Sequence, residues 1–368
     1  MVGFNQIWSR LQKKDHDDDT VDRMNYSTTA KILSFFAAVV MAKQNVGSPL
    51  QCWIPAEYKK TWEQYIESYC FVENTYYVNA SLSTFPNDPF SRKEYQLKYY
   101  QWTPYIFLLS AFIAYAPKLV FKFLNSFSNL VVSDIIQFAY SKNRQNVKAK
   151  KASDNLDAKA LSTLIVTKFT EHNPSKIKFG KTLTITYFLM KVLELVSVIA
   201  NLGLLMYFVD ASSPFWGATL IKDLYKGNDW RTNGFFPRVT FCDLKTRDIG
   251  QHRPHTIQCV LMLNMFIEKM YIFLWAWFLI CAIFTVINLI FWAIRVFNGN
   301  RQRTLINDAL QQSGLKTEEV EDIDRFIRDS LSNDGIVILR LIDSNLGYIN
   351  MAEICRQLYE NFTAKKTE

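Results

Sequence analysis

Four of the six cysteines stand in two pairs, Cys52 with Cys70 and Cys242 with Cys259, while Cys281 and Cys355 stand apart. Thiols grouped in this way oxidise to disulfides, hold a metal, or attack a substrate. Zinc sites usually take two sulfurs from a short Cys-x-x-Cys bite, and gaps of 18 and 17 positions offer none. The four histidines are scattered and no glycine-rich loop is placed to cradle a phosphate, so no catalytic or metal constellation is read, and neither enzymatic activity nor a cofactor is expected. The four cysteines therefore point to two disulfides. Four thiols allow three pairings, and their spacing does not choose among them.

What must position these thiols is a set of apolar blocks. About 20 mostly apolar residues are needed to cross a hydrocarbon core of roughly 30 Å, and four segments approach that standard: 26–46, 102–124, 183–209 and 270–294. The fourth is cleanest, with Asn288 its most polar member. The second carries Lys118 and Lys122 near its end, from where long side chains reach water. The third holds Lys191, Glu194 and Asn201; Lys191 and Glu194, three apart, are expected to pair on one helix face and keep neighbouring helices in register. The first is weakest, because Lys31 and Lys43 bracket its apolar centre.

Four spans put the cysteine-bearing connections, 47–101 and 210–269, on one side of the membrane and both termini on the other. Thiols confined to one side fit an oxidising exterior, so 1–25, 125–182 and 295–368 are read as cytoplasmic. The formal charge of +8, from 42 basic and 34 acidic residues, does not point to nucleic acid. Its densest cluster, Lys142, Arg144, Lys148, Lys150 and Lys151, falls in the 125–182 loop, where positive charge marks the cytosolic side. The first 25 residues are polar and include Asp15, Asp17, Asp18 and Asp19, so the first span is expected to act as its own signal anchor. The fold class expected is an all-α membrane protein of four transmembrane helices. Its extracellular loops are disulfide-linked with a short helix and a little β-structure, and its cytoplasmic parts are helical.

Smaller patterns sharpen this frame. Ser27, Lys31, Ser34, Ala38, Ala42 and Asn45 step by three and four along one face of the first span, with Ile32, Phe35, Val39 and Val40 opposite. Such a stripe suits either a water-filled pore or close helix packing. Ahead of it, Phe4, Ile7, Trp8 and Leu11 share a helical face. Pro55-Ala56-Glu57 is expected to start a helix whose Tyr58, Trp62, Tyr65 and Tyr69 lie together, and 235–242 reads as a short strand with Pro237 at an edge. A cytoplasmic helix with Leu161, Leu164, Ile165 and Phe169 on one face ends at His172-Asn173-Pro174, and two more are expected at 317–331 and 350–362, flanking the apolar run 336–342. Asp343 to Ile349 with Glu353 is similar to a calcium loop but one residue short and lacking a ligand, so no metal is expected there. Asn79-Ala80-Ser81 is a glycosylation sequon on the outer side; Asn25 and Asn361 begin two others that fall in the cytosol. Tyr99-Tyr100-Gln101-Trp102 heads the second span, where amphipathic rings favour the membrane–water interface, and Pro104 is placed in the span's first turn.

With these residues in view the chain resembles the innexins, the subunits of invertebrate gap junctions. The resemblance rests on Tyr-Tyr-Gln-Trp at 99–102, Val21-Asp22-Arg23-Met24-Asn25-Tyr26, Gln51-Cys52-Trp53 with Pro55-Ala56, and Tyr69-Cys70-Phe71-Val72 followed by Thr75-Tyr76. It covers essentially the whole chain. Connexins use three cysteines per outer loop and differ; pannexins share two per loop. The resemblance implies disulfides joining Cys52 to Cys259 and Cys70 to Cys242. It also implies assembly of self or related subunits into a ring of eight among membrane lipids, with residues 1–25 folded into a pore funnel. The Ser27, Lys31, Ser34, Ala38, Ala42 stripe would then face the pathway, and the outer loops would dock on an opposed ring in a neighbouring cell. Alternatives are an undocked hemichannel releasing small molecules, which a sugar on Asn79 would favour, and a poreless adhesion or scaffold protein. On intact cells, iodoacetamide is expected to label none of the four loop cysteines until a reductant is added; labelling without reductant contradicts the reading.

Overall fold

The longest apolar runs become the longest helices of the computed structural model, which describes residues 18–55, 58–78, 89–127, 182–209, 211, 213–226, 236–315 and 320–367. The expectations at Phe4 to Leu11, at Asn79, at Lys142 to Lys151 and at Leu161 to Pro174 lie outside the described residues. Helices α5 (Tyr99–Phe127), α6 (Thr182–Val209) and α8 (Met262–Phe297) are each long and apolar enough to cross a membrane. Each outruns the apolar block that marked it, because the flanking polar residues continue the helix.

The first span is built differently. Asp19 caps α1 (Thr20–Arg23), accepting from the Asp22 N–H at 2.9 Å while the Asp22 carboxylate accepts from the Asp19 N–H. The chain then passes through a π turn, Met24–Thr28, into α2 (Thr29–Val46). Leu33, Ala37 and Val40 are buried along α2, and Lys31, Ser34, Ala38, Ala42 and Asn45 are exposed. This polar stripe keeps α2 below the apolarity of the other three. Ser27 sits in the π turn, whose wider winding shifts it out of phase, and it is only half-exposed. Phe35, expected on the apolar side, is 64% exposed beside Ser34.

The described residues divide between two compact units. One comprises 25–116 and 196–283. It contains a five-stranded antiparallel sheet in the order β1-β5-β4-β2-β3, from β1 (Gln51–Cys52), β2 (Thr75–Tyr76), β3 (Gln96–Leu97), β4 (Val239–Asp248) and β5 (Gln251–Val260). Gly250, at φ 84°, supplies the left-handed residue of the β4–β5 turn. The strand expected at 235–242 thus begins at Val239, and Pro237 precedes it, its carbonyl accepting from Asn264 Nδ2 at 2.7 Å. Against the sheet lies α3 (Lys60–Glu73), which starts later than expected because Lys59 is extended (φ −72°, ψ 155°). Tyr58 is therefore outside the helix, although its ring stays 5.6 Å from that of Trp62. Short helices α4 (Pro89–Glu94) and α7 (Trp216–Tyr225) complete this unit.

The other unit comprises 1–24, 117–195 and 284–368. Its carboxyl-terminal part is α9 (Gly299–Gln312), α10 (Val320–Arg325), a π turn (Phe326–Leu331), α11 (Ser332–Leu346) and α12 (Tyr348–Thr367). The apolar run 336–342 is helical and, apart from half-buried Arg340, buried, which makes α11 the central helix of this core. The segment compared with a calcium loop is the last turn of α11, stopped by Gly347 at φ 88°.

Gly217 exposes how tightly the first unit is packed. A Cβ there would stand 2.3 Å from the Trp275 ring, whose Nε1 is held by the Pro214 carbonyl at 2.9 Å. Gly217→Ala should therefore destabilise the protein by about 1–3 kcal/mol, read as a lower Tm of the purified protein.

Candidate functional site

Lys191 is the least expected buried group in an apolar span, and its partners are not on its own helix. Its Nζ lies 2.9 Å from Asp19 Oδ2 and 2.7 Å from Asp22 Oδ1. Beyond the i,i+3 neighbour read from the sequence, Lys191 is met across 172 and 169 positions. Lys118, expected to reach water, is instead fully buried with its Nζ 2.7 Å from Asp18 Oδ2. Arg23 Nε meets the other Asp18 oxygen at 3.1 Å. Three carboxylates at the head of α1 are thus answered by three cations.

Neutral donors finish the network. Asn288 Nδ2 and Trp292 Nε1 donate to Asp19 Oδ2 at 2.8 and 2.7 Å, and the Tyr187 hydroxyl donates to Asp22 Oδ2 at 2.9 Å. The Lys191 ammonium also lies over the Tyr187 and Trp292 rings, 4.9 and 5.1 Å from their centroids. Asn345, at the end of α11, donates to the Asp18 carbonyl at 3.0 Å and accepts from Arg23 Nη2 at 2.7 Å. Nearby Asp334 accepts from the Leu183 and Thr184 amides at 3.4 and 2.8 Å, capping α6 from another helix.

A second constellation surrounds Tyr99–Trp102. Tyr100 is fully buried and donates its hydroxyl to the Phe71 carbonyl at 3.2 Å. The Gln101 amide donates to Phe71 O and, at 3.1 Å, to Val72 O. Both carbonyls belong to the last turn of α3, where helical partners run out. Because α5 starts at Tyr99, Pro104 falls in its second turn rather than its first. Its missing N–H would leave the Tyr100 carbonyl unmet, and Gln44 Nε2 takes that place at 2.9 Å. Tyr99 sets its ring edge-on to Phe236 at 5.9 Å. Trp102 alone of the four points outward, 60% exposed beside Tyr105.

Disulfides join Cys52 to Cys259, which face each other across β1 and β5, and Cys70 to Cys242, from α3 to β4. The Sγ atoms of Cys52, Cys70 and Cys259 lie within 4.8 Å of one another, a metal-like grouping in which every sulfur is already bonded. Cys281 and Cys355 are buried outside the two disulfides, and burial pushes Cys355 up to about 12, so its thiolate is scarce. Both constellations anchor one element on another.

Removing one partner of a buried ion pair leaves the other charge uncompensated, so Lys191→Met should cost about 3–5 kcal/mol in unfolding free energy. Asp19→Asn in the same chain should recover part of that loss. Burial opposes ionisation of Asp19, but the Lys191 charge, the Asp22 N–H and the Asn288 amide together hold its carboxyl below the usual carboxylate range. A lowered folded-state pKa gives stability that is present above the ordinary value of about 4 and lost as pH falls through the lower one. Denaturation curves should therefore show no loss traceable to Asp19 between about pH 8 and pH 5.

A family model described as Innexin matches residues 18–362, from the Asp18 that meets Lys118 to the last turns of α12. Among curated proteins of Caenorhabditis elegans, Innexin-16 is 35% identical over 94% of this chain and 90% of its own length. Innexin unc-9 is 32% identical over 95% and 93%, and Innexin-17 is 33% identical over 97% of each. A match of that extent, over four membrane helices and two cysteine pairs, shows that the chain belongs to the innexin family.

Proposed function

We propose that this protein is a gap junction channel subunit that passes ions and small metabolites between cells through the central hole of a ring of itself or related subunits. The innexin match along nearly the whole chain carries this reading. A ring is required because four helices of one subunit cannot enclose a wide path. We take the ring to hold eight subunits in the plasma membrane, with lipid around it. The disulfide-tied connections face the outside and dock on a second ring, while both termini are cytoplasmic. Asn79 is a candidate glycosylation acceptor, and a sugar there would favour the undocked hemichannel.

The α2 stripe is our candidate for the pore wall. A lysine facing hydrocarbon is costly, yet Lys31 is exposed in the subunit, in line with exposed Ser34, Ala38 and Ala42. Water in a channel removes that cost. Ser27, half-buried in the π turn, contributes at the stripe's margin. Residues 1–25 are our candidate for the pore funnel.

Dye is expected to pass between paired cells that both express the protein. In an Ala38→Cys or Ser34→Cys channel, a charged thiol reagent should reduce conductance, while Leu33→Cys, buried at 0% exposure, should be indifferent. The opposite pattern assigns the pore to another helix.

A further inference from the structure

The junction between α8 and the carboxyl-terminal helices gathers positive charge that the described residues do not answer. Arg295 stands in the last turn of α8, Arg301 in the first turn of α9 and Arg340 on α11. Packing brings these elements together: Trp292 and Val296 of α8, Leu305 of α9, and Val337 and Leu341 of α11 share one core. The Gln302 amide adds a polar clasp, donating to the Val296 carbonyl and, at 3.3 Å, to Asn333 Oδ1. Arg340, between the core residues Leu339 and Leu341, is half-buried, and its Nε is enclosed with no hydrogen-bond acceptor among the described residues. Burial, then the nearby positive charge of Arg295 and Arg301, hold its guanidinium below the ordinary arginine pKa, while Asp343 and Tyr348 act the other way.

Other arginines of the same helices are paired. Arg303 meets Asp324 at 2.5 Å, Arg325 meets Glu321 at 3.2 Å and Arg356 meets Glu360 at 2.8 Å, whereas among the described residues no ion pair reaches Arg295, Arg301 or Arg340. Arg301 is also set against its own helix, because the first turn of α9 is the positive end of the helix dipole and holds no acid. An anion would relieve both conflicts. Guanidinium forks match phosphate oxygens in pairs, and basic pockets at the cytoplasmic ends of spans suit phospholipid headgroups. What adjoins the cluster is apolar: Phe291, Ile294 and Phe297 are exposed along the end of α8, and the Arg295 guanidinium lies 5.8 Å from the centre of the Phe291 ring. Such a face suits an acyl chain whose headgroup sits at the guanidinium groups.

We infer that Arg295, Arg301 and Arg340 form a binding site for a multiply phosphorylated anion, with an inner-leaflet phospholipid headgroup as its favoured source. The leaflet rests on the cytoplasmic reading of the carboxyl end; the site does not rest on coupling between cells. The full chain, purified into phosphatidylcholine nanodiscs, is titrated against a fluorescent short-chain phosphatidylinositol bisphosphate, with inositol trisphosphate and inorganic phosphate as competitors. The lipid should bind most tightly, and R295Q/R301Q/R340Q should weaken it by about tenfold or more. The double variant R295Q/R301Q removes only exposed side chains, so it guards against misfolding of the triple one, and it should weaken binding in the same direction. Arg303→Gln, whose charge Asp324 already meets, should leave the affinity within about twofold. Equal affinity for inositol trisphosphate assigns the site to a soluble phosphate ester in place of a lipid. No binding of any probe, binding indifferent to R295Q/R301Q, or an equal loss in Arg303→Gln overturns the site. Dye transfer that fails while lipid binding persists sinks the channel reading alone.

Discussion

Three aspartates placed over five residues, Asp18, Asp19 and Asp22, need counter-charges once they leave water, and the supporting architecture of their unit follows from that need. Two of those charges come from lysines inside long apolar helices, Lys118 and Lys191, and the third from Arg23. Each pair alone would struggle to repay desolvation. Together with Asn288, Trp292, Tyr187 and Asn345 they form a satisfied network, in which Asp19 Oδ2 alone is met by three donors. The consequence is positional. The start of α1 is tied to residues of α5, α6, α8 and α11 that belong to the same unit. The absent N-terminal contacts of α6 are met in the same unit by Asp334, so helix ends and buried charges are answered by one set of tertiary contacts.

The outer layer solves a different problem by covalent means. β1, β2 and β3 are two residues each and could not hold a sheet unaided. Disulfides between residues 207 and 172 positions apart restrict the unfolded chain and keep these strands beside β4 and β5. Tyr100 and Gln101 then take the two terminal carbonyls of α3, and Gln44 takes the carbonyl that Pro104 leaves open. The family word at 99–102 is thus a hydrogen-bonded clamp on which only Trp102 retains the expected interfacial posture.

Much of the architecture was legible in residues alone, because hydrocarbon thickness imposes a length and an apolarity that α5, α6 and α8 satisfy by themselves. The period of the α2 stripe was equally readable from Lys31 to Ala42, since a helix repeats its faces by geometry. The π turn was not, and it moved Ser27 off the stripe; Phe35 was likewise assigned to the wrong side. The start of α3 was misplaced for a local reason, an extended Lys59 in place of continued helix after Pro55.

The charged network shows where sequence reading stops. Lys191 and Glu194 satisfy the rule for neighbours on one helix, and that rule sees nothing 172 positions away. A signal was present, a lysine in an apolar span and an acidic run ahead of the first one, but only folding decides which buried charges meet. The cysteines divide in the same manner. Their confinement to two connections of equal sidedness declared disulfides and a topology; their own spacing left three pairings open, and the register of β1 on β5 and the docking of α3 on β4 place Cys52 against Cys259 and Cys70 against Cys242. Composition and periodicity determine what each segment must bury, because those demands are local. Which segment meets which is decided by tertiary packing, because burial and charge must be satisfied across the whole chain at once.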